Sequence, residues 1–482
     1  MRQKIGLVSG PVVFLLVLLF TPNLSSPAVI VLASAALMAI WWITEALPIP
    51  ATSLLPLVIF PLGSVIPASH VSTAYMDPNI VLFMGGFFLA MAIQKWGLHR
   101  RIALYIISFL GGNPRGLVLG FMLATAFLSM WVSNTATAVM MLPIGTAVVL
   151  HLQRNGMDAK SAFPPVLMLA IAYSASIGGV ATLIGTPPNI VFAAQFGELF
   201  PERGQISFLR WCAVGLPFVI IFLPIAWLYL TCIFARLGKE TLGEGSAVIE
   251  QERSKLGPMS RGERGVATIF FLTALAWIFR VDIVIGGFTI PGWASILGAS
   301  QYVHDSTVAI ISALLLFSIP VDWRQGIFLL DWDWAKRIPW GILILFGGGI
   351  ALADGFQSTG LALWVGQSLE GLQGVPVVLL ILSVCLLITF LTEVTSNTAT
   401  ATIFMPIMGG MAVALEIAPE LLMIPATISA SCAFMLPVAT PPNAIVFASE
   451  HLSIPQMARA GLWLNLLGVL ITTLIVYLFV GL

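Results

Sequence analysis

Charge is what this chain has least of. Only 9% of its 482 residues are Asp, Glu, Lys or Arg, 21 acidic against 21 basic, while 59% are hydrophobic. So apolar a composition excludes a soluble enzyme and points to a polytopic membrane protein in a lipid bilayer. With a net charge of zero there is no basic surface to hold nucleic acid. Histidine and cysteine are scarce too. The cysteines (Cys212, Cys232, Cys385, Cys432) and histidines (His70, His99, His151, His304, His451) have no metal-ligand spacing, which leaves the thiols inert. No catalytic triad, P-loop or dinucleotide fingerprint occurs, so the chain does not read as an enzyme. Arg2 and Lys4 precede an apolar run as in a signal peptide, but no small-x-small cleavage pattern follows Pro22. A retained first span is expected.

Against this apolar background stand two short polar motifs. Ser133-Asn134-Thr135-Ala136-Thr137-Ala138 and Ser396-Asn397-Thr398-Ala399-Thr400-Ala401 are near-identical and separated by a constant offset of 263 residues. The same offset relates Leu82-Phe83 to Leu345-Phe346, Gly85-Gly86 to Gly348-Gly349, Gly97-Leu98 to Gly360-Leu361 and Pro143 to Pro406. The chain is therefore duplicated. The halves are 26–235 and 265–482, preceded by one extra span in 1–25 and joined by a polar cytoplasmic linker, 236–264.

Cation placement sets the expected orientation. Arg115, Arg154 and Lys160 flank the first motif, whereas Glu370, Glu416 and Glu420 flank the second with no Lys or Arg beside them. If each motif sits at the tip of a re-entrant hairpin, 116–151 enters from the cytoplasm and 372–415 from outside. The full path has spans near 6–22, 27–45, 47–65 and 79–98, then the first hairpin, a broken span 163–197 and a span 209–235. The second half repeats it upside down, with spans near 265–282, 305–320 and 339–365, the second hairpin, a broken span 420–449 and a last span 460–481. This is an all-α fold of two inverted-topology repeats with about eleven spans and two hairpins. Its N-terminus is inside and its C-terminus outside a plasma (bacterial inner) membrane.

A second duplication marks the chemistry. Gly185-Thr186-Pro187-Pro188-Asn189 matches Ala439-Thr440-Pro441-Pro442-Asn443, each within an apolar run. Paired prolines remove two amide donors and bar the preceding residue from helical geometry, so the helix breaks there. Broken backbone at membrane depth must line a protein-enclosed cavity. Freed carbonyls then suit a cation, and the amides of the restarting helix suit an anion. Ser129 lies four residues before Ser133, and Thr392 four before Ser396, so each hydroxyl pair shares a helical face. Hydroxyl, amide and carbonyl oxygens without fixed charge make a hard cage suited to sodium. A single Ser-Asn-Thr in a membrane helix is ordinary interhelical glue, and a single Pro-Pro an ordinary kink. Two matched pairs in two repeats are neither. Glu393, Asp354, Lys95 and Glu45 read as paired or snorkelling charges.

These motifs, with Trp41-Trp42-Ile43-Thr44-Glu45-Ala46-Leu47-Pro48 and the stretch from Ser431 to Asn443, resemble the divalent anion/sodium symporter family, the di- and tricarboxylate transporters. The resemblance spans nearly the whole chain. It implies a homodimer whose protomers each have a scaffold domain (27–98 and 265–365) and a transport domain (116–197 and 372–449) that moves like an elevator. It implies one sodium site at Ser129, Ser133, Asn134 and the Gly185 carbonyl, and a counterpart at Thr392, Ser396, Asn397 and the Ala439 carbonyl. The substrate carboxylates would meet Asn134, Thr135, Thr186, Asn397, Thr398, Thr440 and Pro441. The expected activity is sodium-coupled import of C4-dicarboxylates such as succinate, malate or fumarate. The alternative in the same fold is sodium-independent exchange involving citrate or tartrate, which would call for a fixed positive charge in place of the cation.

Overall fold

The computed structural model describes residues 2–479 except 22–23, 111–112, 156, 159–160, 239–244, 286, 368–370 and 372; Lys160 and Glu370 thus lie outside the described residues. The chain is helical almost throughout. It opens with α1 (Arg2–Phe20), α2 (Ser26–Thr44), the short α3 (Ile49–Thr52), α4 (Pro56–Leu62) and α5 (Ala68–Thr73), then α6 (Pro78–Lys95) and α7 (Leu98–Ser108). A hairpin follows, α8 (Pro114–Ser129) and α9 (Asn134–Arg154), then α10 (Phe163–Gly179), α11 (Pro187–Leu199) and α12 (Phe208–Leu228). The connecting region holds α13 (Gly245–Ser254). After it come α14 (Arg261–Ile278), the strands β1 (Ile283–Ile285) and β2 (Phe288–Ile290), and α15 (Trp293–Ile296). Next are α16 (Asp305–Ser318), the strands β3 (Pro320–Asp322) and β4 (Ile327–Phe328), α17 (Trp332–Ala335), α18 (Trp340–Ser358) and α19 (Leu361–Gln367). A second hairpin, α20 (Val377–Thr392) and α21 (Asn397–Ala414), leads to α22 (Glu420–Ala430), α23 (Pro441–Phe447) and α24 (Ile454–Phe479). The strands form two separate two-stranded antiparallel ladders.

Among the described residues, seven helices are long and apolar enough to cross a membrane, and six shorter apolar helices accompany them. Where the hydropathy pattern places one span over 47–65, the chain forms α3 and α4 instead. Pro48, Pro50, Pro56 and Pro61 remove too many amide donors for one continuous helix. The order of helices is the same from α6 to α12 and from α18 to α24, and equivalent breaks share their chemistry. Gly97 ends α6 and Gly360 ends α18, each at φ +71. That left-handed turn is open to glycine at no steric cost, and it sends the chain into the short α7 or α19.

The connecting region is not bare linker. Val248 and Ile249 of α13 are buried, and α13 packs on α7 and α9. Arg101 of α7 forms a buried ion pair with Glu263 at 2.8 Å, and Glu263 also closes a capping box with Ser260. Apolar residues inside a polar segment found partners, which composition alone does not reveal. Arg280 is buried against Asp305. Lys95 pairs with Asp331 at 2.7 Å and Asp354 with His70 at 3.3 Å.

Candidate functional site

Four helix starts and four helix ends meet at one place. Both hairpins turn there: α8 ends at Ser129 and α9 begins after Ser133, while α20 ends at Thr392 and α21 begins after Ser396. Both broken helices reopen there, α11 after Thr186 and α23 after Thr440, each residue extended at φ −143 and −140. Proline enforces these conformations, since the residue before it is driven from the helical region. The two halves interlock: α9 packs on α23 and α11 on α21, so each hairpin meets the break of the other half.

Between them lies a cavity of about 670 Å³. Its lining includes Ser133, Asn134 and Thr135 from one hairpin, Ser396, Asn397 and Thr398 from the other, and Thr186, Ala439, Thr440 and Pro441 from the breaks. Helix N-termini carry partial positive charge and unsatisfied amides, so this space favours an anion without needing a charged side chain inside either motif.

Ser129 and Thr392 do not line the cavity. They sit behind it, fully buried, in two matching oxygen clusters. Ser129 Oγ lies 2.7 Å from Asn134 Oδ1 and 2.7 Å from the Ala175 carbonyl. Thr392 Oγ1 lies 2.6 Å from Asn397 Oδ1 and 3.1 Å from the Ala430 carbonyl. The Asn134 amide has two uses. With its NH₂ turned inward it donates to the Ser129 hydroxyl (2.7 Å) and to the carbonyls of Ala175 (3.2 Å) and Gly185 (3.3 Å). Turned about, its Oδ1 accepts from the Ser129 hydroxyl, and the Asn134, Ser129 and Ala175 oxygens then form an all-oxygen group. Ser133 has another task, since its Oγ accepts from the Ala136 amide as the cap of α9.

Sequence reasoning passed over several participants. Asn189 donates to the carbonyls of Gly179 (3.2 Å), Val180 (3.3 Å) and Thr182 (2.7 Å), and Asn443 to those of Ala433 (3.1 Å) and Leu436 (3.0 Å). These asparagines, present in the quoted motif but given no role, tie each unwound segment to its restarting helix. Trp42 and Glu45, from the characteristic tryptophan stretch, line the cavity. So does Arg2, whose guanidinium donates to the carbonyls of Ile43 and Val394. Arg2 is thus a cation at the cavity wall that lies outside both motifs and bonds to neither oxygen cluster. Close packing of α1 along α2, with Gly6 against Thr44 and Gly10 against Trp41, carries Arg2 to the cavity wall, and no spacing rule signals it.

A cavity lined by duplicated polar motifs between broken helices is the kind of site a membrane transporter carries. The sodium:sulfate symporter transmembrane region family matches residues 3–481. The sodium-dependent dicarboxylate transporter SdcS of Staphylococcus saprophyticus is 45% identical over 487 residues, covering 99% of this chain and 91% of that protein. SdcS of Staphylococcus aureus is 46% identical over 483 residues, covering 98% and 91%. In overall fold the chain is similar to the YdaH transporter of Alcanivorax borkumensis (TM-score 0.63, 14% identity, 95% of this chain and 98% of that one). It is similar also to MtrF of Neisseria gonorrhoeae (TM-score 0.57, 13% identity, 97% and 98%). The chain belongs to the divalent anion/sodium symporter family, and it is a transporter and not an enzyme.

Proposed function

We propose that this protein imports C4-dicarboxylates, with succinate, malate and fumarate as the expected substrates, in symport with sodium. The observation that carries the reading is the cavity lined by both Ser-Asn-Thr motifs and both Thr-Pro-Pro turns, with an oxygen cluster behind each hairpin tip. Each carboxylate would be met by one motif: Asn134, Thr135 and Thr186 on one side, Asn397, Thr398, Thr440 and Pro441 on the other. Sodium would sit in the cages, Ser129, Ser133, Asn134 and Gly185 in the first, Thr392, Ser396, Asn397 and Ala439 in the second. A dianion entering a low-dielectric site needs its charge balanced, and two cations in the cages would do so. The sodium dependence named for the SdcS relatives supports this assignment.

We take the repeats to be inverted, with the N-terminus cytoplasmic and the C-terminus outside. The two hairpins with their broken helices would then move as one body against a dimeric scaffold. The test is succinate uptake into proteoliposomes. Uptake is expected to require sodium, and Asn134→Ala or Asn397→Ala is expected to abolish it. Sodium-independent uptake would refute the coupling. Arg2 in the cavity wall favours a second reading, exchange of one anion for another against a fixed positive charge. Its bonds go to carbonyls of Ile43 and Val394 and to neither oxygen cluster, which makes it the weaker of the two. Uptake that needs internal dicarboxylate and ignores sodium would select it.

A further inference from the structure

Arg203 and Arg210 take no part in the cavity between the motifs, yet both converge on one carboxylate. Arg203 Nη1 lies 3.2 Å from Glu420 Oε2 and Arg210 Nη2 lies 3.3 Å from Glu420 Oε1, while Arg210 Nη1 donates to the Arg203 carbonyl at 3.3 Å. The Glu420 side chain is 12% exposed and engaged with both partners, whereas the two arginine side chains are 43% and 44% exposed. Each guanidinium has five N–H donors, so both have donors to spare. Two cations against one anion leave one positive charge uncompensated. Glu202, the chain neighbour of Arg203, is exposed and does not line the space these groups enclose.

A cavity of about 360 Å³ opens on this cluster. Arg203, Arg210 and Glu420 supply its charge, and Phe192, Trp211 and Ile424 are among its apolar lining. The Trp211 Nε1–H is already donated to the Val180 carbonyl at 2.8 Å, so the ring offers this space an apolar surface. The cavity is therefore cationic on one side and apolar on the other. Arg210 lies in the first turn of α12, a helix long and apolar enough to cross a membrane, which sets the cavity at the level of the lipid headgroups. Val214, one turn further on, also lines the cavity, and Ile221 and Leu228 follow it at two-turn steps on the same face. Ile221 and Leu228 are 40% and 47% exposed, so an open apolar stripe runs from the cavity along α12.

We propose that this cavity binds an anionic phospholipid, with the phosphodiester between Arg203 and Arg210 and an acyl chain along the α12 stripe. A phosphodiester carries one negative charge, which brings the cluster to neutrality, and its oxygens match the planar donor fork of arginine. A free dianion would overshoot that charge and leave the apolar lining and the stripe unused. The lipid would tie the turn Pro201–Arg203, just beyond the end of α11, to the start of α22. These are the ends of the two broken helices remote from their breaks, so the lipid acts on the stability of the frame and not on substrate contacts. The site rests on neither the sodium nor the dicarboxylate assignment.

The test follows thermal unfolding of the purified full-length chain in detergent against added dioleoylphosphatidylglycerol, dioleoylphosphatidylcholine or inorganic phosphate. Phosphatidylglycerol is expected to raise the unfolding midpoint more than phosphatidylcholine does, and inorganic phosphate to leave it unmoved. Arg203→Gln and Arg210→Gln each leave Glu420 one partner. Each is expected to raise the phosphatidylglycerol concentration for half-maximal shift about fivefold. Glu420→Gln removes the competing anion and should lower that concentration, a change of opposite sign that a purely structural clamp would not give. Cooperative unfolding in phosphatidylcholine shows that each variant is folded, and retention of phosphatidylglycerol in native mass spectra reads binding apart from stability. Equal shifts with the two lipids overturn the site, as do arginine variants that titrate like the wild type or a Glu420→Gln variant weakened as much as they are. A phosphate effect matching that of phosphatidylglycerol would make the occupant a free anion and overturn it too.

Discussion

At the scale of single residues, the candidate cages depend on backbone approaching backbone with nothing between. A Cβ on Gly179 would stand 2.4 Å from Asn134 Oδ1, and one on Gly185 would stand 2.3 Å from the Gly179 carbonyl. Gly179→Ala must therefore displace the Asn134 amide. It is expected to raise the half-saturating sodium for uptake about tenfold, the loss of roughly one good polar contact, as read by a sodium titration in proteoliposomes. Asn189 and Asn443 act differently, since they hold the unwound segments together and do not line the cavity. Replacing either with alanine leaves buried carbonyls without donors and should cost about 1–3 kcal/mol in denaturant unfolding in detergent. Asn189, with three carbonyl partners against two, should cost more.

At the scale of elements, the polar connection between the halves clamps the N-terminal turns of α7 and α14 together. Burial alone would push the Glu263 carboxyl up, but the Arg101 guanidinium and the Ser260 amide outweigh it and hold the group below its usual 4.5. A carboxyl depressed in the folded state adds stability above its unfolded value and loses that contribution as pH falls through the folded one. The thermal midpoint should accordingly drop below about pH 4.5, and Glu263→Gln should flatten that drop. Arg101→Ala strands a buried carboxylate and is expected to cost about 3–5 kcal/mol, measured by thermal unfolding at neutral pH. Hydropathy and spacing made the hairpins and broken helices legible, because proline pairs and polar triplets act on their own few residues. They did not reveal α13, whose amphipathic face is defined only by the α7 and α9 surfaces that cover it.

At the scale of the whole molecule, the seam between α18 and the hairpin-bearing helices should govern movement. Gln195 of α11 donates to the Gly349 carbonyl of α18 at 3.0 Å and to the Thr402 carbonyl of α21 at 3.4 Å. If α11 and α21 travel together, the bond to Thr402 persists and the bond to Gly349 breaks. Gln195→Met keeps the volume and removes both. It is expected to shift the population of this conformer about fivefold, the weight of one net hydrogen bond, without altering the sodium requirement. Labelling of Val394→Cys, exposed at the second hairpin tip, by a membrane-impermeant thiol reagent in a background without native cysteines would read the shift.

The amino-acid order settled where helices must break and which polar groups a hydrocarbon setting would have to shelter. Both follow from local covalent geometry and from the cost of burying unpaired dipoles, which need no knowledge of the fold. Folding alone decided that each hairpin meets the other half's break, that Arg2 reaches the cavity and that Glu393 gathers the amides of 434–436. Those contacts join residues at least 41 positions apart. At that separation no periodicity in the chain carries the information, and only the packing of helix on helix supplies it.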